Sequence, residues 1–261
     1  MQRVRVWKNS NIFFTELTRK DPSIAFAWNN LGFAKAEEGK QQEAIDHYSK
    51  AIKLNPEFSF AYNNRGLAFD AIGDFENAIR DFDRALEIKK DEDPTLYFNR
   101  GLTYYHIRNY RKAIDDLTKA ININPEDAKY YIKRGAVKID LEQYSESIED
   151  FLLAIKLSPE NAEAFNYLGL TYNYLHRFED ALRAYDRAII LSPGYSSAYN
   201  NCGWVKFSMK DFSNALQDFS KAIELDSLFS FPYHNRGLLY YELNSKEKAC
   251  NDWKTAAKLG Y

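Results

Sequence analysis

A glycine recurs along this chain at an almost constant spacing, and this regularity limits the fold more than any other feature. The recurring glycines are Gly32, Gly66, Gly101, Gly135, Gly169, Gly203 and Gly237. Their separations are 34, 35, 34, 34, 34 and 34 residues. Self-similarity at such a period is typical of stacked structural repeats, each of which buries its apolar face only against its neighbours. The sequence therefore predicts seven similar units in a row.

Each period contains the apolar pattern of two helices. Around the glycine, large apolar residues stand four positions before and three positions after, as Tyr62 and Phe69 do in the second repeat. Later in the period a bulky residue lies between two small ones, as Tyr48 lies between Ala44 and Ala51. Spacings of three and four place side chains on one face of a helix. The chain is therefore predicted to be all-α and built from helix pairs.

Turn residues separate the predicted helices. Glycine and asparagine tolerate the left-handed backbone that commonly ends a helix. Seven positions after the motif glycines stand Gly39, Gly73, Arg108, Glu142, His176, Lys210 and Asn244. Proline, which a helix interior excludes, marks the junctions between repeats at Pro22, Pro56, Pro125, Pro159 and Pro193. The 35-residue step falls in the polar stretch 89–94, where an additional residue costs little.

Together these columns resemble the tetratricopeptide repeat. The resemblance implies a right-handed α-solenoid of antiparallel helix pairs in one continuous domain. Its seven repeats would span residues 25–58, 59–93, 94–127, 128–161, 162–195, 196–229 and 230–261. Lys35, Lys138 and Lys206 stand where the family usually has an aromatic residue. Ser147 replaces a small alanine, so looser packing is expected around it.

The two ends of the repeat array differ. Residues 9–21 resemble the second helix of a preceding repeat, with Phe14 at its aromatic position. Residues 1–24 are therefore predicted to form a half repeat whose helix caps the first full repeat. At the other end, repeat seven stops at residues 259–261 with no polar helix after it. That end predicts either a surface for self-association or a repeat that serves as its own cap.

Charge and motif content argue against several kinds of function. The chain has 35 Lys and Arg residues against 37 Asp and Glu residues, so it lacks the positive surplus that nucleic-acid binding uses. Its four histidines have no partner at a metal or catalytic-triad spacing, so no enzyme activity, cofactor or metal is expected. Cys202 and Cys250 are interpreted as small buried apolar groups, and the carboxylates as solvated groups on outer helix faces. No apolar run approaches the roughly 20 residues that cross a bilayer.

The resemblance implies a protein or peptide ligand and a face that holds it. In the family, the concave side is lined by first-helix residues beside the core stripe, six and three positions before the glycine and one, four and five after it. We call these positions the inner stripe. Aromatic and amide groups dominate it, and they suit apolar contact and hydrogen bonding to a peptide backbone. The predicted peptide-binding residues, on the stripe and next to it, are Asn29, Phe60, Asn63, Phe98, Asn99, Tyr105, Lys129, Lys133, Asn166, Tyr174, Asn200 and Trp204.

The aromatic members of the inner stripe fall into two groups. Those expected to be exposed are Phe60, Phe98, Tyr105 and Tyr174. Those equally compatible with packing against the second helix of their own repeat are Phe33, Trp204, Phe207 and Tyr241.

A site for an acidic group is predicted near Lys129 and Lys133. Chaperone-binding members of the family hold a C-terminal carboxylate with lysine and asparagine residues from three repeats. Asn99, Lys129 and Lys133 match the last three of those places, whereas Asn63 and Leu67 do not match the first two. The resemblance therefore implies only a weak acidic site.

Two other functions stay open. Residues 5–10 weakly resemble the segment that joins the membrane part of glycosyltransferase-like proteins to a C-terminal repeat domain. The chain could then be a regulatory or substrate-presenting domain of a larger, membrane-anchored protein rather than a cytoplasmic adaptor. The missing polar helix after repeat seven is compatible with a self-assembling structural scaffold.

Overall fold

The computed structural model of the chain describes residues 12–261, and the segment 5–10 lies outside them. Residues 12–20 are helical and are called α1. The helices that follow are α2 (Ala25–Glu37), α3 (Gln41–Leu54), α4 (Ser59–Ala71), α5 (Phe75–Ile88), α6 (Pro94–His106), α7 (Tyr110–Ile123), α8 (Ala128–Asp140), α9 (Tyr144–Leu157), α10 (Ala162–Tyr174), α11 (Phe178–Leu191), α12 (Ser196–Ser208), α13 (Phe212–Leu225), α14 (Ser230–Glu242) and α15 (Lys246–Lys258). These residues include no β-strand, so the all-α prediction is confirmed.

The chain forms two compact units, Met1–Glu126 and Asp127–Tyr261. In the first unit, α2 pairs with α3, α4 with α5 and α6 with α7, and α3 and α5 also pack against the first helix of the pair that follows each of them. Phe14 of α1 contacts Phe26 of α2 edge to face, with ring centres 6.3 Å apart. The second unit repeats this arrangement with the pairs that begin at α8, α10, α12 and α14. That the repeats form one continuous domain, capped by residues 1–24, stays a prediction.

The motif glycines lie where two helices of one repeat approach most closely. A Cβ atom on Gly169 of α10 would lie 2.7 Å from Cε1 of Tyr185 on α11. Tyr185 itself is completely buried. Glycine costs about 1 kcal/mol of helix propensity relative to alanine, and here the closer ring packing offsets that cost. The glycine and aromatic columns of the sequence are therefore one packing unit.

The backbone confirms the predicted helix ends. All seven turn positions have positive φ, including five that are not glycine. Lys90 and Asp91, within the 35-residue step, also adopt positive φ and accommodate the additional residue. The five junction prolines lie in the turns before the helices, whereas Pro94 and Pro232 occupy the first turns of α6 and α14.

Buried ion pairs join the two helices in four of the repeats. In the first unit, Arg65 and Arg100 donate to Asp81 and Asp116, each through a 2.7 Å contact from Nε. In the second unit, the same contact links the pairs Arg134–Asp150 and Arg236–Asp252. The four aspartate residues are at most 7% exposed, so the interpretation of the carboxylates as solvated outer-face groups is wrong for them. In each pair, the arginine comes directly before the motif glycine and the aspartate stands sixteen residues after the arginine. This spacing is therefore visible in the sequence.

Two of the lysines that depart from the family pattern also pair with carboxylates, one buried and one partly buried. Lys138 Nζ lies 2.8 Å from Asp150, and Lys206 Nζ lies 2.7 Å from Asp218. In repeat six, Cys202 stands where four other repeats have the arginine, and Lys206 supplies the cation instead. An aromatic residue at these positions would leave Asp218 without its ammonium partner.

Ser147 is accommodated by hydrogen bonds. Its side chain is completely buried, and its hydroxyl oxygen lies 2.9 Å from the carbonyl oxygen of Tyr144, to which it donates. The same hydroxyl oxygen lies 3.4 Å from Oγ1 of Thr171. Ser147 therefore adds a polar contact to the core of the second unit, and looser packing around it stays a prediction.

The two cysteines occupy different environments. Cys202 is buried, as predicted, but Cys250 is exposed, so the interpretation of Cys250 as a buried group is wrong. Its place on α15 faces solvent rather than the neighbouring helix. Burial raises the pKa of the Cys202 thiol to about 12.

The two thiols are expected to differ strongly in reactivity. In a stopped-flow assay with a thiol-reactive disulfide at pH 8, Cys250 is expected to react at least about 100-fold faster than Cys202. The reason is that Cys202 is both inaccessible and protonated below its raised pKa. A Cys250→Ser variant should lose the fast phase only. Two fast phases in the folded protein would contradict the assignment.

Candidate peptide-binding face

The first unit presents large apolar side chains on the first helices of its first two repeats. Phe26 and Phe33 of α2 are 60% and 39% exposed, and Phe60 and Leu67 of α4 are 59% and 44% exposed. Residues seven apart lie on one helix face, so each helix contributes a pair to the inner stripe. We call these four residues the apolar face. Contiguous exposed apolar groups of this kind mark interaction surfaces more often than isolated ones do.

The predicted asparagines form hydrogen bonds between repeats. In the first unit, Asn64 donates to Asn29 at 3.1 Å, and Asn99 donates to Asn63 at 2.8 Å. Asn29 and Asn99 are 7% and 9% exposed. These amides fix the spacing of α2, α4 and α6, and so align the apolar side chains beside them.

The second unit contains the same kind of amide contact. Asn201 donates to Asn166 at 3.1 Å, and Asn235 donates to Asn200 at 2.9 Å. Asn166 and Asn200 are each 6% exposed. Sequence reasoning assigned these amides to a ligand without considering the asparagine in the following repeat, which is their partner here.

A small cleft lies beside Phe60 in the first unit. Its volume is about 90 Å³, and it is lined by Ser59, Phe60, Asn63, Asp93, Thr95 and Leu96. The Lys89 ammonium lies 5.1 Å from the centre of the Phe60 ring. An apolar side chain of a partner could enter this cleft next to the exposed ring.

The predicted residues of α6 are less accessible. Phe98 and Tyr105 are both only partly exposed, although both were expected to be exposed. Tyr105 lies 5.9 Å from the ring of Tyr110 on α7, which accounts for part of its burial. Neighbouring His106 contacts Asp70 of α4 at 3.1 Å, so this end of the stripe is polar.

In the second unit, some aromatic residues of the inner stripe pack against the core and others are exposed. Tyr174 is 48% exposed and stacks on Tyr144 with ring centres 5.4 Å apart. Trp204 lies 5.6 Å from Phe207, and both pack against the core around Phe219. The packing interpretation therefore applies to Trp204 and Phe207, whereas Tyr241 contacts Trp253 of α15 at 5.9 Å between ring centres and stays 54% exposed.

Carboxylates already neutralise the two lysines of the expected acidic site. Lys129 Nζ lies 2.9 Å from Asp127, and Lys133 Nζ lies 2.7 Å from Glu163. Hydrogen bonding to Asp127 raises the pKa of Lys129. Asn99 belongs to the first unit and both lysines to the second. An acidic ligand here would have to displace these carboxylates, and the acidic site stays a prediction.

The last residue of the chain covers part of the inner stripe of repeat seven. The Tyr261 ring stacks on His234 at 4.0 Å and meets Phe231 edge to face at 5.2 Å. This contact is what a self-capping repeat would require. Self-association stays a prediction.

Neither a metal-binding cluster nor a membrane-spanning helix occurs in the part of the chain that the structure describes. Within residues 12–261, no three His, Cys, Asp or Glu side chains converge on a common point where a metal ion could bind. No helix in the same range has both the length and the apolar character that crossing a bilayer requires.

Comparison with known folds supports the repeat assignment. A structure described as a tetratricopeptide repeat protein from Parabacteroides merdae has a TM-score of 0.75, 20% identity and coverage of 95% of this chain and 93% of that one. A chain of the APC/C hetero-tetramer Cut9-Hcn1 has a TM-score of 0.71 and 18% identity, and the match covers 85% of this chain but 44% of that one. YrrB, described as having an unusual peptide-binding site, has a TM-score of 0.56 and 24% identity over 74% of this chain and 98% of YrrB.

Comparison with protein families gives the assignment directly. A search of curated proteins found no match. The tetratricopeptide repeat family model matches residues 25–58, 59–92, 94–127, 162–195 and 196–227, and a second model, described as TPR repeat, matches residues 135–174. Because these matches cover more than half of the sequence and the helix pairs follow them, the chain belongs to the tetratricopeptide repeat family.

Proposed function

We propose that this protein is a scaffold that binds a partner through a peptide segment rich in large apolar residues, held on the apolar face of the first unit. Repeat proteins of this family typically take part in protein–protein interactions and are generally not enzymes. The observation that supports the finer proposal is the exposure of Phe26, Phe33, Phe60 and Leu67 on two consecutive first helices.

The chemistry of the face favours an apolar ligand over a charged one. Burying an exposed side chain of this size contributes about 1.5–3 kcal/mol, so two or three such contacts supply most of the free energy of a peptide complex. The neighbouring amides of Asn29, Asn63 and Asn99 take part in the bonds between repeats. Binding would therefore depend mainly on apolar contact, with the cleft beside Phe60 as its deepest point.

The test is a binding screen with a defined set of synthetic peptides. We expect the peptides that bind to be enriched in large apolar residues. The double variant Phe26→Ser and Phe60→Ser should weaken their binding, measured by isothermal titration calorimetry, at least about 30-fold, because it removes about 2 kcal/mol or more of apolar contact.

A matched control separates the face from general surface hydrophobicity. Ile190 of α11 is 66% exposed and lies on a second helix. The Ile190→Ser variant should bind the same peptides with unchanged affinity, and circular dichroism should show native helix content in both variants. The proposal would be refuted if Ile190→Ser weakened peptide binding as much as the double variant does. It would also be refuted if the peptides that bind were not enriched in large apolar residues.

A further inference from the structure

A second cleft lies in the first repeat, away from the inner stripe. It measures about 320 Å³ and is lined by Pro22, Trp28, Lys50, Lys53 and Leu54. The Lys50 ammonium lies 4.4 Å from the centre of the Trp28 ring. The Trp28 indole is held in place because its Nε1 donates to the Pro22 carbonyl oxygen at 2.9 Å. The cleft therefore combines an ordered aromatic wall with two lysines on one helix.

The same location in repeat two is filled by ion pairs. Arg84 stands at the position of Lys50, 34 residues later. It contacts Glu57 at 2.7 Å and Glu87 at 2.9 Å. Repeat six has a similar pair, Lys221 with Glu224 at 2.8 Å. In repeats two and six, the cation at this position is thus matched with a carboxylate, whereas Lys119 of repeat three lies 5.0 Å from the Tyr97 ring with Asn122 in place of Glu87.

Repeat one lacks both of these carboxylates. Ser23 replaces Glu57, and Lys53 replaces Glu87. Among residues 12–261, no carboxylate lies within ion-pair distance of Lys50 or Lys53, and residues 1–11 contain no Asp or Glu. Lys50 and Lys53 are three residues apart on one helix face, so their like charges repel. An external anion would relieve that repulsion.

We propose that this cleft binds an acidic peptide segment of a partner, with a carboxylate between Lys50 and Lys53 and a neighbouring apolar side chain against Trp28 and Leu54. The carboxylate takes the place that Glu57 and Glu87 occupy in repeat two. The rest of the wall is apolar and consists of Pro22, Trp28 and Leu54. A peptide with an apolar residue next to its carboxylate can contact this wall, whereas a free inorganic anion cannot, so the cleft should prefer the peptide. This site is independent of the apolar face.

The experiment follows the indole N–H signal of Trp28 by nuclear magnetic resonance in the full chain. The probe is an acetylated, amidated hexapeptide of alternating leucine and glutamate, and its glutamine counterpart is the uncharged comparison. We expect the acidic peptide to shift the Trp28 signal and to bind at least about tenfold more tightly than the glutamine peptide. Inorganic phosphate should shift the signal only at much higher concentration.

Two glutamate variants make the test specific. Lys53→Glu supplies the carboxylate that repeat two carries, and should weaken the acidic peptide at least about tenfold. Lys156→Glu makes the same charge change at the equivalent position of repeat four, where Leu153 replaces the stacked lysine, and should leave affinity unchanged. The proposal is overturned if the glutamine peptide binds equally well, if Lys53→Glu has no effect, if both variants weaken binding alike, or if phosphate competes at the same concentration as the peptide.

Discussion

The Asp150→Ala substitution is expected to lower the free energy of unfolding by about 3–5 kcal/mol. Asp150 is 1% exposed and accepts from two cations. Arg134 contacts Oδ2 through Nε at 3.0 Å and Oδ1 through Nη2 at 2.6 Å, and Lys138 Nζ lies 2.8 Å from the same Oδ2. Removing the carboxylate takes away the negative charge that both partly buried cations contact, and the cost of that lost charge pairing makes the effect large. Urea unfolding followed by circular dichroism measures it.

The chain supplies its own comparisons for this prediction. Glu149, the preceding residue on α9, is exposed, and Glu149→Ala should change stability by less than about 0.5 kcal/mol. Repeat five has Leu168, Tyr172 and Ala184 at the places of Arg134, Lys138 and Asp150. The triple variant Arg134→Leu, Lys138→Tyr and Asp150→Ala should therefore recover most of the loss, because it removes the charges together. A loss below about 1 kcal/mol for Asp150→Ala alone would show that the ion pair is solvated.

These buried pairs show what sequence reasoning can and cannot reach. The glycine, small and aromatic columns predicted the helix pairs because each packing contact recurs every 34 or 35 residues. The arginine and aspartate columns recur as well, but a charged residue is by default assigned to the surface. Only the structure shows that Asp81 is buried and that Arg65 Nε, on a partly buried side chain, lies 2.7 Å from its Oδ2.

The candidate site was predicted less completely than the fold. Helix periodicity placed Phe60, Phe98, Tyr105 and Trp204 at inner-stripe positions of their own first helices. Their exposure depends on neighbouring side chains that periodicity does not describe: Phe207 beside Trp204 and Tyr110 beside Tyr105 are the examples here. Periodicity also does not show which charged residues form ion pairs. Lys133 is neutralised by Glu163, which lies thirty residues away in the sequence.

The Gly169→Ala substitution is expected to destabilise the protein by about 2 kcal/mol, although alanine is the better helix former. Its Cβ would lie 2.7 Å from Cε1 and 2.8 Å from Cδ1 of Tyr185, closer than nonbonded carbon atoms approach. The ring cannot move aside easily because Tyr185 is completely buried and packed with Cys202 and Val205. The overpacking cost therefore exceeds the gain in propensity. Thermal and urea unfolding would both report it.

The third repeat provides the matched control for Gly169→Ala, because Leu117 replaces the aromatic ring there. A Cβ on Gly101 would lie 3.3 Å from Leu117 Cγ, so Gly101→Ala should change stability by less than about 1 kcal/mol. In a Tyr185→Leu background, which copies that pairing, adding Gly169→Ala should no longer cost stability. Equal effects of Gly169→Ala with and without the ring would mean that the glycine column reflects backbone conformation rather than ring contact. Because both glycines are helical with ordinary φ, we expect the ring to decide.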